Sequence, residues 1–398
     1  MKRILARLVL LFATLSIVLI VFEVGSRLFG LQPVYEIYSR SSLFWRHDPV
    51  LGWSHQPDSG SIYRGPSPWP IEFENEIQIN SHGLRGVEPG NRGEGAHRIL
   101  FLGDSMIAGF VVAEDETFVV RVQKKLDARL PALRVETINA GVRGYGTDQS
   151  LLYYRRGGRE LKPDLVIFHH SPNDIRNNMT LHRMRRPFGK GVFAVDADGT
   201  LREQGIPVPE YPLCSAVMMD SHYEVVRLDT PAARTACGLE MFLTDRSAFF
   251  TYVTQVLQRT PTVIRWLHRL GSGTREVART GAGILLPGVA NADPRDDAAI
   301  VLTRALIVAL AREVRSDGAE FLLWISTPAL REIGRWEIET AGINVIHTEM
   351  PMALVGPFPT SFKNDGHWTA FGHRLVGDML VASLLKRFEQ ARAGETTK

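Results

Sequence analysis

The sequence predicts an α/β protein: a parallel sheet with helices on both faces, preceded by an N-terminal transmembrane helix and carrying a large insertion. Three observations predict it. Strand-like apolar runs alternate with segments of helical length, the first 31 residues are compositionally unlike the rest of the chain, and the alternation halts near Arg176 and resumes only near Asp296. With 398 residues and 44% hydrophobic content, the chain can bury a large core. Lys and Arg total 46 against 43 Asp and Glu, a net charge of +3, and Gly 35 with Pro 22 is ordinary usage. That balance excludes a nucleic-acid footprint and a disordered chain.

The N-terminal element comes first. Fifteen residues from Leu8 to Phe22 carry no charge, and the apolar run extends over Ile4–Val24 with Arg7 and Glu23 at its two interfaces. Twenty-one residues rising about 1.5 Å each give roughly 31 Å, the thickness of a bilayer's hydrocarbon core. Lys2, Arg3 and Arg7 precede it, which places the N-terminus in the cytoplasm and the remainder outside, a single pass through the inner membrane with a periplasmic domain. A cleaved signal peptide is the competing reading, but Glu23, Val24 and Gly25 make a poor cleavage site.

Residues 1–25 are therefore expected to be the anchor and 26–96 a β-rich lead-in, turn-dense around the alternating run IEFENEIQIN. Residues 97–176 hold the first part of the α/β core: strands at RILFLG (98–103), RVETINAG (134–141) and DLVIFHH (164–170), helices at 117–130 and 147–161. Residues 177–295 are an insertion, whose stretch 249–270 is aromatic and basic and reads as a packed subdomain face, a lid or a membrane-surface segment. Residues 296–392 complete the core with a long amphipathic helix (296–320), strands at FLLWIST (321–327) and NVIHTEM (344–350), and a last helix. Cys214 and Cys237 are the only cysteines; a disulfide between them would close a loop of 24 residues, and two unpaired thiols are the alternative.

Open parallel sheets bind ligands at the carboxyl ends of their strands, so the loops there are where chemistry is sought. Four are unusual: Gly103-Asp104-Ser105, NAGVRGYG (139–146), SPND (171–174) and DGH (365–367). A hydroxyl becomes a nucleophile when a base takes its proton, a carboxylate orients the base and donors await the oxyanion. Ser105 supplies the hydroxyl, His367 the base and Asp365 the carboxylate; backbone N–H groups of Ser105 and Gly144 and the Asn173 amide are the donors. Taken singly, each is an ordinary turn, cap or core residue. Their order and placement make the pattern specific.

These blocks, GDSMIAG, NAGVRGYGT, SPND and DGHWTAFGH, resemble the SGNH subgroup of the GDSL hydrolases, over residues 97–175 and 298–392. The resemblance implies a flavodoxin-like three-layer α/β/α sandwich, with Ser105 as nucleophile, Gly144 and Asn173 in the oxyanion hole, and His367 as base backed by Asp365. Two positions depart from the family pattern. Ser171 replaces the usual Gly of the third block, and Asp365 precedes His367 by two residues where three is common, a variant shared with envelope-located relatives that modify acylated polysaccharides.

The resemblance implies a serine esterase or acyltransferase, and the anchor points it at O-linked, chiefly O-acetyl, esters of envelope or exported polysaccharide. A lipid or phospholipid esterase and a noncatalytic glycan-binding protein are the alternatives. No cofactor or metal is expected: the glycines of the second loop match no dinucleotide or phosphate-loop spacing, and His169 and His170 lack a nearby carboxylate cluster. The partners expected are an acylated glycan or lipid and, through residues 4–24, the membrane; nucleic acid is not. Of the remaining residues, Asp104 is expected to position its loop, Asp148 and Arg143 to be solvated loop charges with substrate contact as the alternative, one of His169 and His170 to line the site, and His373 to face outward.

Overall fold

A computed structural model describes residues 2–31, 33, 45–66, 69–90, 96–179, 189–196, 199–208, 235, 238–239, 242–259, 297–326, 341–348 and 356–395. Helix α1 (Lys2–Leu28) contains the N-terminal apolar run, and most of its large apolar side chains stand exposed. It is long and apolar enough to cross a membrane, as an anchor or a signal sequence must, and the apolar window is 0% buried, unlike the core helix of a soluble protein. The lead-in holds two antiparallel pairs, β1 (Trp45–Asp48) with β2 (Gly52–His55) and β3 (Ser59–Gly65) with β4 (Phe73–Ile79).

The core continues as β5 (His97–Gly103), α2 (Ser105–Ala108), α3 (Phe118–Arg129), β6 (Val135–Gly141), α4 (Thr147–Tyr153), β7 (Leu165–His170) and α5 (Asp174–Asn177). Within the insertion come the hairpin β8 (Val192–Val195) and β9 (Leu201–Gln204) and the helix α6 (Ala248–Arg259). The chain returns through α7 (Asp297–Ser316), β10 (Glu320–Ile325), β11 (Asn344–His347) and α8 (Ala370–Glu395). The central sheet is parallel throughout, in the order β11-β10-β7-β5-β6.

That order has a reason in the side chains. Alternate residues of a strand point to opposite faces, and here both faces are apolar. Ile99 and Phe101 of β5 pack with Phe118, Val122 and Leu126 of α3 and Val376, Leu380 and Leu384 of α8. Leu100 and Leu102 pack with Leu151 and Leu152 of α4 and Leu306, Leu310 and Val314 of α7. The result is the expected three-layer α/β/α sandwich. Strand order reverses between β5 and β7, so a crevice opens beyond their carboxyl ends, next to Ser105.

The lead-in is bonded to this sheet through Arg85, which bridges Ile79 on one side and Asn139 at the end of β6 on the other. Its buried guanidinium donates to the Ala108 carbonyl at 2.9 Å, the Val112 carbonyl at 2.7 Å and the Gly109 carbonyl. Burial draws the Arg85 pKa down to about 10, against the raising charge of Glu114, so the group stays cationic at neutral pH.

Several expectations are corrected. His373 does not face outward: it is 1% exposed, its ring stacks on Phe118 and its Nδ1 accepts from the Phe118 N–H at 3.3 Å, because position 373 falls on the apolar stripe of α8. Asp148 is not solvated: it is fully buried and paired with Lys190, which ties the second loop to the insertion. His169 and His170 are both buried, His169 bonded to Ser326 at 2.8 Å and His170 to Asp174 at 3.0 Å. The helix expected over 147–161 is α-helical only through Tyr153; Tyr154–Gly158 widens into a π turn at the Gly157-Gly158 pair, succeeded by a 3₁₀ turn Arg159–Leu161. Of the aromatic stretch 249–270, residues 249–259 lie in α6; the others, with Cys214 and Cys237, lie outside the described residues.

Two predictions concern this framework. Arg85→Met strips three carbonyls of a charged donor, and thermal unfolding is expected to show a loss of roughly 2–4 kcal/mol that Arg85→Lys restores only in part, since an ammonium lacks the fork geometry. Burial also lowers two histidines from the ordinary 6.5: His169 to about 4, with Asp104 opposing, and His373 to about 3, where the Arg85 charge adds. The unfolded chain therefore takes up more protons than the folded one below pH 6.5, so stability is complete above that pH and is lost as pH falls toward 4. Asp174, raised by burial to about 6, works oppositely but is one group against two. The free energy of urea unfolding is expected to drop between pH 6.5 and 4 by on the order of a few kcal/mol, and less in His373→Phe.

Candidate active site

Strand β5 ends at Gly103 with φ +152°, where a Cβ would stand 2.7 Å from the Ile107 side chain and 3.2 Å from the His169 carbonyl. At the end of β6, a Cβ on Gly141 would collide with the Ala108 amide nitrogen. Two glycines thus let the turn into α2 rest directly on the neighbouring strand. The Val142 N–H donates to the Gly103 carbonyl at 3.1 Å, and Asn139 holds the same contact with its side chain, donating to the Ile107 carbonyl at 2.9 Å. Asp104 caps α2 by accepting the Met106 N–H at 2.9 Å, which leaves Ser105 as the first helical residue.

Opposite it, the segment before α8 turns on itself. The Phe362 N–H donates to the His367 carbonyl and the Gly366 N–H to the Phe362 carbonyl, both at 2.9 Å, with Gly366 at φ +85°. The lead-in braces this turn: Glu72 accepts from the Asn364 backbone N–H at 3.1 Å and from its amide at 3.1 Å, and Phe73 packs on Phe362.

The two loops meet at His367, whose Nε2 lies 2.8 Å from the Ser105 Oγ and whose Nδ1 contacts Asp365 Oδ1. The same carboxylate oxygen accepts the His367 backbone N–H at 3.3 Å, which explains why a two-residue spacing suffices: one residue's carboxylate captures both the N–H and the ring two positions on. Because an ionised carboxylate only accepts, Nδ1 carries the hydrogen and Nε2 is the acceptor for the serine hydroxyl. Burial by itself would raise the Asp365 carboxyl, but the His367 charge and hydrogen bond, together with the Arg143 charge, lower it to about 2. It is ionised throughout the neutral range.

Of the expected oxyanion donors, Gly144 lies in the loop after β6 and Asn173 in the loop after β7, where it bonds to Asp104 beside Ser105. Gly144, at φ +85°, sits inside a turn closed by the Tyr145 N–H on the Val142 carbonyl at 3.1 Å, so its own N–H is not used in closing that turn. The lead-in braces this loop too, with Tyr145 donating to the Trp53 carbonyl at 2.8 Å and Trp53 Nε1 to the Arg143 carbonyl at 3.2 Å. Asn173 Nδ2 donates one hydrogen to Asp104 Oδ2 at 3.2 Å, which orients the amide and keeps its second hydrogen outside that bond. Asp104 thus positions two loops, as the sequence suggested for one. Ser171, where the family pattern has Gly, is buried without strain: its N–H donates to Asp174 at 3.2 Å and its hydroxyl meets His169 Nδ1 at 3.3 Å.

The structure therefore brings Ser105, His367 and Asp365 into one hydrogen-bonded row, with Asn173 tied to the row's own cap. Arg143, expected as a solvated loop charge, instead has its guanidinium 4.9 Å over the Tyr63 ring while its charge reaches Asp365, and sequence reading missed Arg85, which clamps the backbone after Ser105. No spacing signal marked either, since both depend on a lead-in that is distant in sequence. A cavity of about 430 Å³ is lined by Arg85, Glu114, Lys124, Glu136 and Asn139 but not by Ser105 or His367. Among the described residues no three His, Cys, Asp or Glu side chains are grouped to hold a metal ion.

Known proteins can be set beside this geometry. The model of the GDSL-like Lipase/Acylhydrolase family matches residues 101–375. No curated protein matches the chain significantly. Among solved structures, the chain is similar to the acetyl xylan esterase AlAXEase (11% identity, covering 72% of this chain and 98% of that one, TM-score 0.35). It is also similar to TesA (13% identity, 72% and 98%, TM-score 0.35) and to the psychrotrophic esterase EstA from Pseudoalteromonas sp. (13% identity, 74% and 99%, TM-score 0.37). Likenesses this distant do not bear on substrate. The family match covers well over half the chain and contains every residue of the Ser105–His367–Asp365 row; the chain belongs to the GDSL-like lipase/acylhydrolase family and is a serine hydrolase.

Proposed function

We propose that this protein is a membrane-anchored, periplasmic esterase that removes O-linked acyl groups, chiefly O-acetyl, from envelope or exported polysaccharide. The observation that carries the chemistry is the 2.8 Å approach of His367 Nε2 to Ser105 Oγ, with Asp365 on the opposite ring nitrogen. Ser105 Oγ attacks the ester carbonyl while Nε2 takes its proton. The carbonyl oxygen becomes an oxyanion, received by the N–H groups of Ser105 and Gly144 and the free hydrogen of Asn173. The imidazolium, stabilised by Asp365, then protonates the departing sugar oxygen as the carbon–oxygen bond breaks, leaving an acyl-serine. Water repeats the sequence and releases the acid. A second sugar hydroxyl in place of water gives acyl transfer by the same residues.

The address narrows the substrate. Residues 4–24 are read as the anchor, with residues 26–96, 97–176, 177–295 and 296–392 as lead-in, core, insertion and core beyond the membrane. A domain held there meets glycans and lipids of the envelope. A lipid ester is the second reading, favoured by the partly exposed aromatic side chains of α6 beside the anchor.

Ser105→Ala is expected to lower kcat on p-nitrophenyl acetate by ~10³-fold or more, and Asp365→Asn by ~10³–10⁴-fold with KM little changed, because the amide no longer holds the ring tautomer. Equal turnover by the parent and Ser105→Ala would remove Ser105 from the reaction. Acetate release from acetylated polysaccharides, measured beside release of long-chain acids from phospholipid vesicles, tests the substrate. Faster cleavage of the long-chain esters would transfer the assignment to the lipid reading.

A further inference from the structure

Over residues 248–254, helix α6 is amphipathic the wrong way round for a soluble domain. Its side chains Ala248, Thr251 and Thr254 are buried, while Phe249, Phe250, Tyr252 and Val253 remain partly exposed. A helix packed on a water-soluble body buries its large apolar residues and exposes its hydroxyls. Here the hydroxyls turn inward and are satisfied there: Thr251 donates to the Thr244 carbonyl at 2.8 Å and Thr254 to the Thr251 carbonyl at 2.9 Å. Just ahead of the helix, Leu239 and Phe242 are 58% and 53% exposed, and the Arg246 guanidinium lies 4.2 Å over the Phe242 ring. Small and hydroxylated residues toward protein, with Phe250, Val253, Leu239 and Phe242 left partly or largely uncovered, is the arrangement expected when the surroundings are lipid.

The position of this face relative to the anchor is fixed by bonds. Glu23, at the outer end of the apolar run of α1, accepts from the Ser247 hydroxyl at 2.7 Å, the Ala248 N–H at 3.1 Å and the Phe249 N–H at 3.0 Å. Phe22 stacks on Phe249 at 5.0 Å, and Arg27 donates to the Arg246 carbonyl at 3.0 Å. The start of α6 is therefore level with the last turn of the spanning segment, where a carboxylate left without donors would be costly. Trp69 and Tyr252 meet edge-on at 6.2 Å on the same side, the residue types that favour headgroup depth. Arg27 and Arg246 stand where lipid phosphates would be, with the Arg246 stem lying along an aromatic ring.

We infer that α6 and the turn before it form a second membrane-contacting element, seated in the outer interface of the bilayer beside the anchor, with Phe242, Phe250 and Val253 toward the acyl chains. The inference rests on reading residues 4–24 as membrane-spanning. It gives the protein two points of attachment, which would fix the orientation of the catalytic domain over the membrane.

The test uses the full chain reconstituted in vesicles of phosphatidylcholine and phosphatidylglycerol and an apolar diazirine that labels from the hydrocarbon. Tryptic cleavage yields Leu8–Arg27 and Ser247–Arg259 as separate peptides. Both are expected to be labelled well above peptides from α3. Label in Leu8–Arg27 with Ser247–Arg259 at the α3 level would overturn the inference and leave the anchor standing; label in neither would overturn both. The double variant Phe250→Asp, Val253→Asp is expected to lose label several-fold in the second peptide only, with hydrolysis of a soluble ester unchanged. Unchanged labelling in that variant would also overturn the inference.

Discussion

The site depends on one close approach: the backbone that carries Ser105 lies directly on the end of the strand beside it. No side chain fits between Gly141 and the first turn of α2, and none fits between Gly103 and the tip of β7. With both glycines in place, the Gly103 carbonyl and the Asn139 side chain lock the turn, and Ser105 projects into the crevice where strand order reverses. A methyl group at position 141 would have to move α2, and His367 would then face a hydroxyl out of reach. Positioning to within a fraction of an ångström is what proton transfer requires, and close packing is the only source of such stiffness in a loop.

Charge is partitioned around this point with equal care. Of the three histidines His367, His169 and His373, only His367 is bonded to a carboxylate through its ring, while His170 pairs with Asp174. His169 lies among Trp324, Trp368 and Ser326, and His373 between Phe118 and Trp368, so burial keeps both neutral at physiological pH. Neutral neighbours matter because an imidazolium beside His367 would oppose the charge that ring must acquire. The Arg143 cation acts from the other side, helping to hold Asp365 ionised. Proton acceptance at Nε2 is thus backed by a permanent anion.

This geometry explains which features were legible in the sequence. Strands β5, β7 and β10 and the helices over them were readable because burial on both faces imposes continuous apolar runs, while the edge strand β11 stays partly exposed. The row Ser105, His367 and Asp365 was readable because each residue sits at a strand or helix end in a short local pattern. The side chains that brace the row were not. Arg85 looked like one more charge in a glycine-rich stretch, and its three carbonyl partners lie in a segment at least 23 residues away. His373 looked exposed because α8 carries both polar and apolar residues, and only the packed structure shows which stripe meets α3. Asp148 looked solvated because its partner Lys190 belongs to the insertion.

The lead-in then takes on a role that its composition did not suggest. A chain of contacts runs from α1 to the His367 turn: Phe22 stacks on Phe249 of α6, Trp69 meets Tyr252 of α6, Glu72 holds Asn364, and Phe73 packs on Phe362. Its other pair of strands reaches the second loop through Trp53 and Tyr145. The same short segment therefore touches α6 and both loops that flank Ser105. A flexible tether would let the crevice sample every orientation, as a Gly/Ser-rich linker does. Contacts of this kind, running from α1 through α6 and the lead-in, restrict it to a few.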